Sequence, residues 1–124
     1  MTILVIVEDD PDVQFLIETI FSMDPRFALA GVAESAEDAL ATAQTTEPEI
    51  IVLDHGLSGK LTGLEAARKF KELDPQTKII LFTAHAELEA QTHDEPAIDA
   101  FLLKTETAGL LPLAQELTDM LSLL

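Results

Sequence analysis

The sequence contains no cysteine, few basic side chains and no long apolar segment, and each shortage excludes a class of function. Without cysteine the chain has no disulfides, no thiolate metal site and no cysteine nucleophile. Only 7 of its 124 residues are Lys or Arg, whereas 23 are Asp or Glu, so the formal net charge is −16. Because affinity for nucleic acid depends on neutralising phosphates with Lys and Arg, we expect no direct binding of DNA or RNA.

The apolar stretches are too short for a membrane segment or a leader. Residues 1–7 form an apolar run that ends at acidic residues, with no basic flank and no small-residue cleavage site. No run approaches the roughly 20 residues that a membrane-spanning helix needs. We therefore expect a soluble, cytoplasmic protein without a membrane segment. A chain of this length is expected to form one domain, here residues 1–124.

Short β-rich runs alternate with helical patterns along the whole chain. Strands are predicted over residues 3–7, 27–33, 50–53, 79–82 and 98–103. The segments between them carry apolar residues at helical spacing, and a last helix is predicted from about Thr107 to Leu124. Strands that are apolar throughout are typical of a parallel sheet covered on both faces by helices. The predicted fold is therefore an α/β domain with a doubly wound, five-stranded parallel sheet and about five helices.

Polar side chains follow four of the predicted strands at the point where each strand ends. They are Glu8 and Asp9 after the first, Asp54 after the third, Thr83 after the fourth and Lys104 after the fifth. In sheets of this kind ligands bind beyond the carboxyl ends of the strands. Crowded carboxylates repel one another unless a cation lies among them, and oxygen ligands of this type suit Mg²⁺. A nearby lysine and hydroxyl would complete a pocket for a phosphoryl group.

The motifs around these residues resemble the receiver domain of two-component response regulators, over the whole chain. They are the segments 3–11, 52–54, 81–84 and 101–104. The resemblance implies the flavodoxin-like strand order 2-1-3-4-5 and either a stand-alone, chemotaxis-like receiver or the receiver portion of a longer regulator. It implies that Asp54 is the phosphoacceptor and takes its phosphoryl group from a phosphohistidine of a histidine kinase or a histidine phosphotransfer protein.

The same resemblance implies the remaining site roles. Mg²⁺ would be held by Asp9 directly, by Glu8 through water, by Asp54, and by the backbone carbonyl of Gly56. Thr83 and Lys104 would hold the phosphoryl group. Thr83 and Phe101 would then act as a switch that changes the face formed by helix 4, strand 5 and helix 5, where a downstream protein target binds. The protein would be no enzyme beyond its own phosphorylation and dephosphorylation.

The chain departs from the usual receiver pattern in three places. Ser58 stands where the family usually has proline, in a loop about one residue longer than usual, and Thr105 stands where a proline often follows the lysine. Between His85 and Pro96 the only sizeable apolar residue is Leu88, so the fourth helix is predicted to be short, displaced or mobile.

Several alternatives stay open at the level of sequence. Asp10-Pro11-Asp12 resembles the paired aspartates of phosphatases of the haloacid dehalogenase type, with Asp10 as nucleophile, although Asp10 also suits a helix N-cap. A receiver fold that binds partners independently of phosphate is a second alternative. His55 and His85 follow neighbouring strands and could form a transition-metal site, but hydrogen-bonded or solvated histidines are the commoner case. Leu111 and Leu123 could mark the contact of a homodimer.

Overall fold

A computed structural model describes residues 1–123 and contains one five-stranded parallel sheet. The strands are β1 (Thr2–Val7), β2 (Phe27–Ala33), β3 (Ile50–Leu53), β4 (Lys78–Thr83) and β5 (Ala100–Leu103). Their order in the sheet is β2-β1-β3-β4-β5, and every neighbouring pair is parallel. The predicted doubly wound fold and strand order are confirmed.

Helices alternate with the strands along the chain. They are α1 (Pro11–Phe21), α2 (Ala36–Thr46), α3 (Gly63–Leu73), α4 (Glu89–His93) and α5 (Leu110–Leu121). Side chains cap three of them, because Asp10, Ser35 and Thr62 accept hydrogen bonds from backbone N–H groups in the first turns of α1, α2 and α3. Within residues 1–123, none of these helices combines the length and the apolar character needed to cross a bilayer.

Side chains of the strands point alternately to two apolar layers, one on each face of the sheet. Val5, Val7 and Leu53 pack on one face against α2 and α3, whereas Leu4, Ile6 and Val52 pack on the other against α1 and α5. Because both faces are covered, the central strands β1, β3 and β4 are buried almost completely, whereas the edge strands β2 and β5 are partly exposed. This packing fixes the positions at which the four polar strand ends meet.

The structure differs from the sequence prediction mainly at element ends. Strand β5 begins at Ala100 rather than residue 98, since Ile98 is buried ahead of the strand and donates its N–H to Glu95. Residues 104–109 form a 3₁₀ segment, so α5 begins at Leu110 rather than near residue 107, and the predicted end at Leu124 lies outside the described residues. The fourth helix is short, as predicted: α4 has five residues.

Candidate functional site at the carboxyl ends of the strands

Three carboxylates meet at the carboxyl end of the sheet. Glu8 and Asp9 follow β1, and Asp54 follows the adjacent strand β3, whose end is tied to β1 by the hydrogen bond from Asp54 N to Val7 O (3.0 Å). One carboxylate oxygen from each of Glu8, Asp9 and Asp54 lies within 4.8 Å of the others. Glu8 and Asp54 are buried, and Asp9 is half-buried. The sequence prediction that these residues share a pocket is therefore correct in geometry.

Lys104 supplies a positive charge to this acidic cluster. It follows β5 directly, and its Nζ lies 2.6 Å from Glu8 Oε1 and 2.9 Å from Asp54 Oδ2. The lysine therefore reaches the pocket from a strand two positions away from β3 in the sheet. One ammonium group faces three carboxylates, so a net negative charge remains in the pocket.

Burial and the neighbouring charges shift the pKa values of Glu8 and Lys104. Burial raises the pKa of Glu8, and the neighbouring charge of Asp54 acts in the same direction, while Lys104 opposes both. Burial acts to lower the pKa of Lys104, but its hydrogen bonds to Glu8 and Asp54 outweigh burial, so that this pKa is raised. Lys104 therefore stays protonated at neutral pH.

The donor set fits a hard divalent cation. Glu8, Asp9 and Asp54 offer only oxygen ligands, close enough together for one ion to contact them. Mg²⁺ prefers one or two carboxylates and keeps several waters, and the half-buried Asp9 leaves one side of the cluster open to solvent. A divalent cation would also neutralise the charge that Lys104 leaves uncompensated.

The turn that carries Asp54 is held by backbone contacts. Asp54 Oδ1 accepts a hydrogen bond from its neighbour's backbone N–H, His55 N, at 2.7 Å, while Oδ2 faces Lys104. His55 O accepts from Gly63 N at 3.0 Å, which packs the start of α3 against this turn. A Cβ at position 63 would overlap the carbonyl oxygen of Asp54. Sequence reasoning missed Gly63, although a glycine directly after the cap of α3 was a visible signal of a close approach.

The remaining predicted site residues lie on the neighbouring strands β4 and β5 and in the loop that follows Asp54. Thr83 ends β4, is completely buried, and its Oγ1 accepts the N–H of His85 at 3.2 Å. Phe101 lies in β5 beside Leu81, is half-buried, and packs against the apolar layer under α2 and α3. Gly56 lies two residues beyond Asp54 in the connection to α3. The switch roles of Thr83 and Phe101 and the carbonyl ligand at Gly56 stay predictions.

Asp10 and His85 have polar partners of their own, whereas the buried Nδ1 of His55 accepts or donates no hydrogen bond within residues 1–123. Asp10 Oδ1 accepts the N–H of Asp12 at 2.9 Å, which is the arrangement of an N-cap. His55 and His85 form an edge-to-face pair with ring centroids 6.4 Å apart, and His85 Nδ1 lies 3.2 Å from Glu87 Oε1. Burial, followed by the charge of His85, lowers the pKa of His55.

Comparisons with known proteins agree with this geometry. A family model described as the response regulator receiver domain matches residues 4–114. The protein-glutamate methylesterase/protein-glutamine glutaminase 1 of Syntrophus aciditrophicus is 35% identical over 88 residues, which are 71% of this chain and 25% of that protein. The response regulator VraR of Staphylococcus aureus is 30% identical over 110 residues, which are 87% of this chain and 52% of that protein. The chain thus spans about a quarter to a half of the length of these curated relatives.

Solved structures share the fold. A CheY-like receiver domain protein from Methanospirillum hungatei superposes with a TM-score of 0.86 at 24% identity, covering 98% of this chain and 97% of that one. The response regulator TrrA from Thermotoga maritima, in complex with Mg(2+)-BeF, gives a TM-score of 0.84 at 24% identity over 94% of this chain and 99% of that one. The family match over nearly the whole chain, with an acidic cluster and a lysine at the carboxyl end of the sheet, shows that the chain belongs to the response regulator receiver domains.

Proposed function

We propose that this receiver domain accepts a phosphoryl group on Asp54 from a phosphohistidine of a histidine kinase or a histidine phosphotransfer protein. One observation carries the proposal: the Asp54 carboxylate lies between two further carboxylates and the Lys104 ammonium group at the ligand-binding edge of the sheet. Its side chain is almost completely covered, which removes competing water from the nucleophile.

The transfer is a displacement at the phosphorus atom of the donor. A carboxylate oxygen of Asp54 attacks the phosphorus, the phosphorus–nitrogen bond of the donor breaks, and its electron pair stays on the imidazole of the departing histidine. Glu8, Asp9 and Asp54 would hold Mg²⁺, together with the Gly56 carbonyl, and the bound ion would neutralise charge on the phosphoryl oxygens. Lys104 already contacts Asp54, so its ammonium group is placed to stabilise the negative charge added there.

Phosphorylation would act as a switch through Thr83 and Phe101. An aspartyl phosphate adds acceptor oxygens, which favour a conformer in which the Thr83 hydroxyl donates to them. Thr83 Oγ1 now accepts from His85 N, so this rearrangement would alter the loop after β4. The side chain of Phe101, which lies three residues before Lys104, would change its orientation together with this movement of Thr83. The phosphoryl group would bias two existing states through the contacts that differ between them.

The face that reads this change would be formed by α4, β5 and α5. A cleft of about 300 Å³ opens between α4 and β5, and Phe101 lines it together with Glu89 and His93. A movement of Phe101 would change the shape of this cleft, and with it the surface that a downstream protein contacts. The net charge of −16 supports a protein partner rather than a nucleic acid.

The remaining roles follow from the same proposal. The chain would be no turnover enzyme, since it would catalyse only its own phosphorylation and dephosphorylation. Its place would be the cytoplasm, with the kinase or phosphotransfer partner. A homodimer could form through Leu111 and Leu123. The exposed side chain of Leu123 is available for such a contact, but Leu111 is partly buried against the apolar layer formed with α1 and α5.

The decisive experiment follows backbone amide resonances while Mg²⁺ and beryllofluoride are added. The fold shared with TrrA, whose structure contains Mg(2+)-BeF, supports the choice of probe. We expect shifts around residues 54–57, in the loop after β4 and in β5, and no beryllofluoride-dependent shift in Asp54→Asn. A wild-type protein that does not respond, or an Asp54→Asn variant that responds equally, would refute the assignment of Asp54.

The two rival functions are separated by further measurements. Sustained Mg²⁺-dependent hydrolysis of a phosphate ester, abolished in Asp10→Ala and retained in Asp54→Ala, would favour a phosphatase over a receiver. Binding of a downstream target with the same affinity in wild type and Asp54→Asn, with and without phosphodonor, would favour a phosphate-independent module.

A further inference from the structure

The loop between Asp54 and α3 is fastened to a neighbouring loop at its outer end. Ser58 forms a parallel β-bridge with Ser35, which caps α2. In the first turn of that helix, Glu37 Oε2 accepts the backbone N–H of Lys60 at 3.0 Å. Residues 58–60 are thereby tied to the start of α2 at two points that are more than 20 residues away in sequence.

Gly59 permits this close approach. Its φ is +95°, a conformation that L side chains rarely adopt, and a Cβ on it would lie 2.8 Å from Glu37 Oε1. The loop backbone therefore rests directly on the Glu37 carboxylate. Hydrogen bonding from Lys60 N is the largest cause of the lowered pKa of Glu37, so the carboxylate is charged at neutral pH and accepts strongly.

The fastened loop brings a hydroxyl group to the acidic cluster. Ser58 Oγ lies 3.4 Å from Asp9 Oδ2, in position to donate a hydrogen bond to it. Of the carboxylates in the cluster, Asp9 is the half-buried one, so its side chain is held by fewer neighbours than Glu8 or Asp54. This hydrogen bond restricts the rotation of the Asp9 carboxylate, which is one of the three that form the cluster.

We propose that Ser58 and Glu37 are positioning residues for Mg²⁺ at the acidic cluster: Glu37 holds the loop backbone, and the Ser58 hydroxyl then orients Asp9. This inference rests on the proposed function, and it concerns the two residues that prepare the site rather than those that contact the ion. Partners that orient a metal ligand commonly change metal affinity by about 10- to 100-fold. Because Ser58 and Glu37 are exposed, we expect the lower end of that range.

The test measures the Mg²⁺ dissociation constant of the unphosphorylated protein from amide chemical shifts. Ser58→Ala and Glu37→Ala should each weaken Mg²⁺ binding by about tenfold. Glu37→Gln retains an oxygen that accepts the Lys60 N–H, so it should restore affinity close to that of wild type. Asp38→Ala removes the same charge from the same turn of α2 and serves as the matched control, with an unchanged dissociation constant.

A double-variant cycle shows whether Glu37 acts through Ser58. If it does, adding Glu37→Ala to the Ser58→Ala variant causes little further loss of Mg²⁺ affinity. The inference is overturned if the two losses of Mg²⁺ affinity are fully additive, or if Ser58→Ala binds Mg²⁺ as tightly as wild type. It is also overturned if Asp38→Ala loses as much Mg²⁺ affinity as Glu37→Ala. Mg²⁺ binding that is tighter in Ser58→Ala would overturn it as well, because Ser58 would then compete with the ion.

These outcomes are distinguishable from a failure of the proposed function. If wild type binds no Mg²⁺, or binds it equally well in Asp9→Asn, the acidic cluster is not the metal site and the proposed function fails. If Mg²⁺ binding depends on Asp9 but not on Ser58 or Glu37, only the present inference fails. Glu37, Asp38 and Ser58 are exposed and Asp9 is half-buried, so circular dichroism should report an intact fold for all of these variants.

Discussion

Replacing Asp9 by asparagine should stabilise the folded protein when no divalent cation is present. Asp9 lies with Glu8 and Asp54 in a cluster whose carboxylate oxygens are within 4.8 Å of one another. In the unfolded chain Asp54 is far from Glu8 and Asp9, and all three carboxylates are solvated, so most of their repulsion destabilises the folded state. Asparagine keeps the shape of the side chain and an oxygen for the Ser58 hydroxyl, while it removes one charge.

The magnitude follows from the charge separation. For two unit charges at 4.8 Å, the repulsion is about 1 kcal/mol in water and about 3.5 kcal/mol at an effective permittivity near 20. Asp9 faces two such charges, and the ammonium group of Lys104 offsets roughly one of them. We therefore expect Asp9→Asn to raise the free energy of unfolding by about 1–3 kcal/mol. At this chain length each kcal/mol raises Tm by about 3–5 °C.

The assay is urea unfolding followed by far-ultraviolet circular dichroism, because the chain has neither tryptophan nor tyrosine as a fluorescent reporter. In EDTA the variant should be the more stable protein. Mg²⁺ at ten times its dissociation constant should stabilise wild type by about 1.4 kcal/mol and leave Asp9→Asn nearly unchanged.

Asp12→Asn is the matched control, since Asp12 is exposed in the first turn of α1 and lies outside the cluster. That change should alter stability by no more than about 0.5 kcal/mol. A loss of stability in Asp9→Asn in EDTA would refute the electrostatic reasoning. Equal stabilisation of both proteins by Mg²⁺ would show that the ion binds elsewhere.

Three further predictions concern other charges and a cap. Lys104→Met leaves buried carboxylates without their cation and should lower the free energy of unfolding by about 2–4 kcal/mol; a loss below 1 kcal/mol in urea unfolding, as an approximate limit, would contradict this. Arg26 hydrogen bonds lower the pKa of Asp24 to about 2, so the stability that Asp24 contributes is present above the usual pKa near 3.8 and disappears as the pH falls towards 2. Asp24→Asn should therefore have a lower free energy of unfolding than wild type at pH 7, and this difference should disappear as the pH falls to about 2 and below. A difference that does not change with pH would contradict the prediction. Thr62→Ala removes the capping box that Thr62 forms with Glu65 and should cost about 1 kcal/mol in thermal unfolding, whereas Thr62→Ser should cost less.

Much of the fold could be predicted because its signals are local. The apolar runs that became β1 and β3 and the caps at Asp10 and Ser35 can be read within a few residues of sequence. The shortage of apolar residues after His85 likewise predicted the short α4. The exact ends of helices and strands were harder to predict from the sequence. The start of α5 depends on a 3₁₀ segment whose residues have no distinctive pattern.

The site was predictable to the extent that parallel strands deliver their ends to one edge of a sheet. That rule brings Glu8, Asp9, Asp54 and Lys104 together, and the resemblance to receiver domains supplied their expected roles. Neither the rule nor the resemblance specifies which side chains are in contact. That Lys104 contacts both Glu8 and Asp54, rather than one of them or solvent, depends on rotamers and on the local course of the chain after β5.

The sequence by itself determined the order of elements, the two-sided core and the residues available at the carboxyl edge, because periodicity and capping act over a few residues. Only the tertiary structure decided which distant residues would hold the site in shape. Gly63 packs against the Asp54 turn, and Glu37 binds the backbone of Lys60 across 23 residues. The glycine at position 63 signals a close approach but does not identify its partner. The Glu37 contact depends on the loop path and on a backbone group that every residue except proline carries, so side-chain pattern alone gives no sign of it.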